Sequence, residues 1–169
     1  MNKNQKEAFL YLYKNHLYPS YLKRGHAAKY IIPIAQEFCK GKGLDIGGKT
    51  DCHFPGAQII NSEYPGMYNA THLPNKQYDY IFSSHTLEHL PCTASTLCYW
   101  RKHLKPFGVL FLYIPHPDML YWLPGNCKKH IHSFSPEEIT TIINQSGFDV
   151  IMRSCRDSFW SFAIAAVIR

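Results

Sequence analysis

Residues 43–61, GLDIGGKTDCHFPGAQIIN, form the stretch that decides the fold of this chain. A short apolar segment runs into Gly47 and Gly48, and a second apolar segment follows at residues 57–61. A glycine turn between two buried strands is typical of nucleotide-binding α/β proteins. Only residues 49–56 separate the turn from the second segment, and a proline and a glycine end that interval. We therefore expect at most one helical turn between the first two strands.

Further along the chain, strand patterns alternate with helix patterns. They place strands at 43–48, 57–61, 66–69, 78–84, 107–115, 149–155 and 158–169, and helices at 93–106 and 135–147. Because the central strands lack an apolar–polar alternation, we expect a sheet that is covered on both faces. The predicted fold class is α/β, with a mostly parallel sheet of seven strands or slightly fewer and an antiparallel C-terminal strand. The helices after the first and second strands are expected to be shortened.

The N-terminal region precedes the glycine turn and carries apolar residues at helical spacing. We expect one helix near residues 4–17 and a second at about 24–39, with a kink or a late start at Pro33. The whole chain, 1–169, is then a single domain. Its N-terminal helices occupy residues 1–40 and its ligand-binding core occupies residues 41–169.

Composition excludes several classes of protein. The chain has 169 residues, of which 46% are hydrophobic, so a disordered chain is not expected. The net charge of +6 is spread without a long basic run, which makes nucleic acid an unlikely partner. The six cysteines form no CxxC pair and follow no secretory signal, which favours reduced thiols and a cytoplasmic location. The longest apolar run, Phe162–Ile168, is too short to span a membrane.

The glycine turn lacks features that the two common phosphate-binding sites require. A dinucleotide fold needs GxGxxG at the start of a helix, and residues 47–52 read GGKTDC. A Walker A loop needs a long helix directly behind GKT, and the interval before the next strand has no room for one. A ligand that contains adenosine but no phosphate fits better, because it needs no helix N-terminus. S-adenosylmethionine is such a ligand.

Three segments together resemble a known family. They are GLDIGGKTD, YNATHLPNKQYDYIFSSHTLEHLP and LKPFGVLFLYIPHP, in that order along residues 42–152. This arrangement is similar to the class I S-adenosylmethionine-dependent methyltransferases, and most of all to small members of the methyltransferase type 11 group. The resemblance implies a Rossmann-like sheet, S-adenosylmethionine as the methyl donor and S-adenosylhomocysteine as the product.

The resemblance also assigns roles around the glycine turn. Asp45, Gly47 and Gly48 match the first motif of the family, which wraps the methionine part of the donor. The family usually has DxGxG at this point, so Lys49 replaces the second glycine. The turn must therefore follow a different path past the amino acid, with Lys49 or Thr50 nearby.

Two asparagines stand where the family has acidic residues. Asn61 replaces the residue that accepts both ribose hydroxyls, and Glu63 is the alternative for that role. Asn69 and Ala70 match the segment that lies beside the adenine. A module that binds without turnover is therefore a second functional hypothesis next to an enzyme.

The end of the strand at 78–84 carries the next candidates. Ser83, Ser84 and His85 lie where ligands bind in open α/β sheets, so we expect them at the cofactor, with His85 also a catalytic candidate. Glu88 and His89 follow one helical turn later. For these two residues a helix cap or a surface pair is as good an interpretation as a place in the site.

The loop at about 115–134 is expected to shape the acceptor pocket. His116, Asp118 and His132 are the candidate bases in it, and of His130 and His132 one is expected to cap or pack while the other faces the pocket. The spacing Cys127-x-x-His130-x-His132 supplies three candidate zinc ligands but no fourth, and a divalent ion at Asp118 is a further alternative. We predict no metal site from the sequence.

The sequence only partly constrains the identity of the methyl acceptor. The D/N-P-P-Y tetrad of amino-methyltransferases is absent, and SSHT stands in its place. Histidines and aromatic residues around a hydroxyl-sized pocket favour O-methylation of a sugar, a glycan or a small molecule. An RNA methyltransferase is a further alternative because of the basic pI of about 9.0. A homodimer is left open.

Overall fold

A six-stranded mixed sheet forms the centre of the protein in the computed structural model, which describes residues 10–19, 27–64 and 68–169. The strands are β1 (Leu10–Tyr13), β2 (His16–Pro19), β3 (Gly43–Ile46), β4 (Gln58–Ile60), β5 (Tyr78–Ser84), β6 (Leu104–Pro115), β7 (Phe148–Arg153) and β8 (Ser161–Ile168). The helices are α1 (Ala28–Phe38), α2 (Thr93–Lys102) and α3 (Pro136–Gln145). The order in the main sheet is β4-β3-β5-β6-β8-β7, and β1 pairs with β2 in a separate hairpin.

The topology confirms the predicted fold class. Strands β3, β4, β5 and β6 pair in parallel, whereas β8 runs antiparallel to both β6 and β7. In the described part of the chain, no helix lies between β3 and β4 or between β4 and β5. The expectation of shortened connections is therefore confirmed there. The chain leaves β3 toward β4 on one side and returns to β5 on the other, which creates a switch point at the carboxyl ends of β3 and β5.

Two hydrophobic cores cover the two faces of the sheet. Helices α2 and α3 bury Leu97, Trp100 and Ile139 on one face. Helix α1 and Tyr18 of β2 pack on the other face. Strands β3 and β8 are buried along almost their whole length, which explains why they read as continuous apolar runs.

The prediction of a helix near residues 4–17 is wrong for residues 10–17, and residues 4–9 lie outside the described part. Residues 10–19 form an antiparallel hairpin whose turn, Lys14 and Asn15, has positive φ at both positions. Such a turn matches the twist of paired strands. The apolar stripe also fails as a helix face, because two of its members, Leu10 and Leu17, are 51% and 60% exposed.

The remaining helices and strands agree with the sequence-based predictions, apart from the residues at which they begin and end. Helix α3 begins with a capping box, in which Ser135 and Glu138 each accept a backbone N–H of the other. Helix α2 ends at Lys102 and β6 already starts at Leu104, since the strand extends further than its apolar core suggested. Of the short strand predicted at 66–69, residues 66 and 67 lie outside the described part, and Asn69 forms an isolated bridge with His72. No helix in the described segments has the length and apolarity that crossing a membrane requires.

Candidate functional site

A cavity of about 780 Å³ lies at the switch point between the carboxyl ends of β3 and β5. Its size falls within the range of small-molecule sites, roughly 300–1,000 Å³. Most of the residues predicted to bind a cofactor line it, namely Asp45, Gly47, Gly48, Lys49, Asn61, Glu63, Ala70, Ser84 and His85. The structure therefore brings together residues that lie up to 40 positions apart in the sequence.

The glycine turn after β3 leaves no room for side chains. Gly47 has φ +92°, and a Cβ at this position would overlap the Thr86 hydroxyl. A Cβ at Gly48 would lie 2.6 Å from the Asp45 carboxyl group. Lys49 then pairs with Cys52 through two backbone hydrogen bonds, so a tight turn replaces the helix that follows such glycines in dinucleotide folds. Gly47 and Gly48 both line the cavity, so a ligand there can approach their backbone closely.

Asp45 lies beneath this turn and is 1% exposed. Its Oδ2 accepts a hydrogen bond of 2.6 Å from the Phe54 backbone N–H. Burial raises the pKa of the carboxyl group to about 6, since desolvation outweighs the hydrogen bonds and the nearby His53. A cationic ligand in the cavity would stabilise the ionised form. The ammonium and sulfonium groups of S-adenosylmethionine have the required charge, so the turn fits this cofactor.

The two candidates for the ribose differ in what their side chains already do. The Asn61 amide donates to the Gly48 carbonyl at 2.9 Å and accepts from the Glu63 N–H at 2.9 Å. Both ends of this amide are thus used to hold the turn against β4. The Glu63 carboxylate is 56% exposed at the cavity wall and lies 3.5 Å from Lys49 Nζ. Glu63 therefore has the free oxygen that a ribose hydroxyl needs.

Two predicted cofactor residues lie outside the described lining of the cavity. The Asn69 side chain accepts hydrogen bonds from the N–H and hydroxyl of Thr71, so it closes a local turn. Ser83 donates to the Ile46 carbonyl at 2.9 Å and ties β5 to β3. By contrast, Ala70 and Ser84 face the cavity. The Ser84 hydroxyl is buried and has no hydrogen-bond partner within the described segments.

His85 directly follows β5 and has a left-handed backbone, φ +50°. Its ring lies between Tyr113 and Trp122, and its Nε2 is 2.9 Å from the Ser161 hydroxyl. The same hydroxyl lies 3.3 Å from the Phe159 carbonyl, so it can donate there and accept from Nε2, an arrangement that keeps the lone pair on Nδ1. Burial lowers the pKa of His85, so the ring is neutral at physiological pH. The left-handed backbone is one that His tolerates better than most residues.

Glu88 is the residue whose role the sequence did not reveal. It sits in a single 3₁₀ turn after β5 and is fully buried. Its Oε1 lies 3.9 Å from His85 Nδ1, 3.8 Å from His89 Nε2 and 3.8 Å from His130 Nε2. Neither carboxylate oxygen has a hydrogen-bond partner among the residues that the structure describes. Burial raises the pKa of Glu88 and lowers that of His130.

The spacing His85-x-x-Glu88-His89 was the available signal for this cluster. A helix cap or a surface pair explained Glu88 and His89 equally well from sequence. What decides between these interpretations is His130, which a different loop brings to the same carboxylate.

The remaining predicted catalytic residues lie away from the described lining of the cavity. His116 contacts Asp118, with 3.4 Å between Nδ1 and Oδ2, and Asp118 also lies 3.6 Å from Arg156 Nε. His132 stacks on Phe134, and its Nε2 is 3.3 Å from the Pro91 carbonyl. His130 and His132 thus diverge as expected, and it is His130 that faces the cavity.

Comparisons with known proteins agree with this geometry. A family profile described as "Methyltransferase domain" matches residues 23–152. Among solved structures, the glycopeptide N-methyltransferase MtfA in complex with S-adenosylmethionine is similar, with TM-score 0.63, 16% identity, and coverage of 94% of this chain and 100% of that one. No curated protein matches the chain by sequence.

Two further structures show the same fold. The CcbJ methyltransferase from Streptomyces caelestis has TM-score 0.65 at 12% identity, over 90% of this chain and 99% of that one. An S-adenosylmethionine-dependent methyltransferase from Methanosarcina mazei has TM-score 0.60 at 18% identity, over 80% and 97%.

Proposed function

The chain belongs to the methyltransferase domain family, which uses S-adenosylmethionine, and from this membership we propose that it methylates an oxygen of a small hydroxylated molecule. A sugar, a glycan or a compact phenol is the acceptor class that we favour. The observation that carries this proposal is the neutral His85 imidazole, which lines the cavity close to the glycine turn.

The donor has a defined place in this proposal. Gly47 and Gly48 would pass the methionine end, and Glu63 would accept the ribose hydroxyls. Ile60 and Ala70 supply apolar wall for the adenine. When bound, the donor supplies an electrophilic methyl group on a sulfonium, so the protein contributes mainly alignment and exclusion of water.

The acceptor would bind on the histidine side of the cavity. Tyr121 and Trp122 line that side and offer flat apolar surface on which a sugar or an aromatic ring can stack. A hydroxyl group is a weak nucleophile and gains from a nearby proton acceptor, whereas an amine needs little help. The lone pair of His85 Nδ1 supplies such an acceptor. The N-methyltransferase activity named for MtfA makes amines the competing acceptor class.

A product-detected methylation screen tests the proposal. Sugar nucleotides, free glycans and small phenols are compared with matched amines, and methylated products are identified by mass spectrometry. We expect transfer to hydroxyl groups. Transfer to the amines alone would contradict the oxygen assignment, and donor binding without any product would favour a binding module.

A variant of His85 sharpens the test. His85→Asn keeps a residue that tolerates the left-handed backbone but removes the imidazole. We expect kcat to fall by on the order of 100-fold or more, with donor affinity changed only a few-fold. His72→Gln removes an exposed imidazole that stacks on Tyr68, and this control should leave both quantities unchanged. An equal effect of the two substitutions would contradict the role of His85.

A further inference from the structure

We propose that Glu88, His89 and His130 bind a divalent transition-metal ion, for which Zn²⁺ is the best match, at the acceptor side of the cavity. One carboxylate oxygen and two imidazole nitrogens of these residues lie within 4.8 Å of one another. The three side chains come from two separate segments, the 3₁₀ turn after β5 and the loop before α3. The site itself does not depend on the identity of the methyl acceptor.

The distances suit coordination better than hydrogen bonding. His89 Nε2 and His130 Nε2 both lie 3.8 Å from Glu88 Oε1, which is too long for a hydrogen bond. Ligands of a tetrahedral Zn²⁺ ion, with bonds of about 2.1 Å, lie roughly 3.4 Å from one another. The two distances from Glu88 exceed this value by a few tenths of an ångström, and all three ligand atoms lie within 4.8 Å of one another.

The hydrogen bond behind His89 orients the lone pair of this histidine toward the centre of the cluster. His89 Nδ1 lies 2.7 Å from the Lys129 carbonyl, which can only accept, so Nδ1 carries the proton. The lone pair of His89 is therefore on Nε2, the atom that faces Glu88. An imidazole that donates its second N–H to a carbonyl is the usual arrangement behind a metal-bound histidine.

The burial of Glu88 points to a cationic ligand. The residue is 0% exposed, and its two oxygens accept no hydrogen bond within residues 10–19, 27–64 and 68–169. His130 is 7% exposed, so the imidazole that approaches the carboxylate is also removed from solvent. A buried carboxylate without a partner is costly, because desolvation is not offset. A bound cation removes this cost.

The choice of ion follows from the ligand types. Imidazole nitrogens favour Zn²⁺ and its transition-metal neighbours, whereas Mg²⁺ prefers oxygen ligands and keeps most of its water. Three protein ligands leave a position open, and His89 and His130 both line the cavity. An acceptor hydroxyl could take that position and lose its proton more easily, a role that rests on the proposed function.

The alternative zinc motif, Cys127 with His130 and His132, is not assembled. His132 turns away toward Pro91 and Phe134, whereas His130 faces Glu88. The two sets can be separated by experiment, because Glu88 belongs to one and Cys127 to the other.

Calorimetric titration of the full chain, after treatment with a chelator, tests the site. We expect Zn²⁺ to bind with a stoichiometry of one, and Co²⁺ to give visible d–d absorption bands from a four-coordinate site. Glu88→Gln and His130→Gln should each weaken Zn²⁺ binding by on the order of 100-fold and abolish the Co²⁺ bands. Cys127→Ser and His72→Gln are the matched controls and should bind like the unmodified chain.

The outcomes are distinguishable from those of the methylation screen. Equal Zn²⁺ binding by Glu88→Gln and the unmodified chain, or no binding by the unmodified chain, would overturn the site. Circular dichroism of Glu88→Gln checks that the variant is folded, which we expect because the substitution keeps size and removes an unpaired buried carboxyl group. Metal binding without methyl transfer would leave the site intact and reject the proposed function, and the reverse result would reject only the site.

Discussion

Replacement of Gly47 by alanine is the most informative perturbation of the turn that follows β3. The backbone at this position has φ +92°, and the added Cβ would overlap Thr86 Oγ1. That hydroxyl lies 3.1 Å from the Ile46 carbonyl and 3.2 Å from the Ser84 carbonyl, so it joins the ends of β3 and β5. The substitution therefore acts on the backbone and on the connection between the two strands that border the cavity.

Two contributions make up the loss of unfolding free energy in Gly47→Ala. A non-glycine residue in a left-handed conformation costs about 1–2 kcal/mol. Displacement of the Thr86 hydroxyl from its carbonyl partners costs roughly another 1–2 kcal/mol. We expect Gly47→Ala to lower the free energy of unfolding by about 2–4 kcal/mol. Gly56→Ala is the matched control, since Gly56 has φ +79° and its added Cβ would meet no described atom within 4 Å. Its cost should be only about 1–2 kcal/mol.

Urea unfolding followed by circular dichroism measures both variants. In the double variant Gly47→Ala/Thr86→Ala, part of the loss should be recovered, with a coupling energy of about 1–2 kcal/mol. Affinity for S-adenosylhomocysteine should fall for Gly47→Ala and stay unchanged for Gly56→Ala, which lies outside the described cavity lining. If Gly47→Ala costs no more than Gly56→Ala and shows no coupling to Thr86, the account of the turn is refuted.

Three further predictions concern other parts of the molecule. Glu63→Gln should weaken S-adenosylhomocysteine binding by roughly 10-fold in calorimetry, because a charged acceptor of the ribose hydroxyls is lost, and unchanged affinity would exclude this role. Tyr18→Ala should lower the free energy of unfolding by about 3–4 kcal/mol in urea titration, since Tyr18 is 0% exposed and lies 4.9 Å from Trp160 between ring centroids. The exposed Leu12→Ala in the same hairpin should change it by less than about 0.5 kcal/mol, and equal effects would argue against the hairpin. Burial raises the pKa of Asp45 from 3.8 to about 6, so Asp45 increasingly destabilises the folded state as pH rises from 3.8, and the effect is complete above pH 6. The difference in unfolding free energy between the unmodified chain and Asp45→Asn should therefore shift toward the variant by roughly 2–3 kcal/mol between pH 4 and pH 7, and a difference that does not vary with pH would contradict the shift.

The central sheet could be predicted because its signals are local. Glycines stop β3, and the capping box at Ser135 and Glu138 starts α3. Parallel strands that are buried on both faces have continuous apolar sequences, so the sequence indicates that these strands lie inside a covered sheet. The place of the cavity then follows from the switch point, which is a property of strand order.

The N-terminal hairpin could not be predicted from its apolar spacing. Leu10, Tyr13 and Leu17 fit a helical stripe, but Tyr18 is the residue that is buried there. Its burial depends on Trp160, which is distant in sequence. Tertiary contacts of this kind override a short local pattern.

In the candidate site too, some features can be predicted from neighbouring residues, whereas others depend on contacts between distant segments. Asn61 and Glu63 are adjacent to one turn, yet only the hydrogen bonds of the folded chain show that the Asn61 amide is already occupied. The cluster at Glu88 depends on a loop more than 40 residues away in the sequence. Histidines are common in loops, and a sequence alone does not say which of them meet.

The most direct test of the account is a calorimetric titration of the unmodified chain with S-adenosylhomocysteine. The product is used because it cannot be turned over and occupies the same turn as the donor. We predict binding at one site per chain, with loss of affinity in Gly47→Ala and no change in Gly56→Ala. Absence of binding at millimolar ligand would contradict the assignment of the cavity and, with it, the proposed methyl transfer.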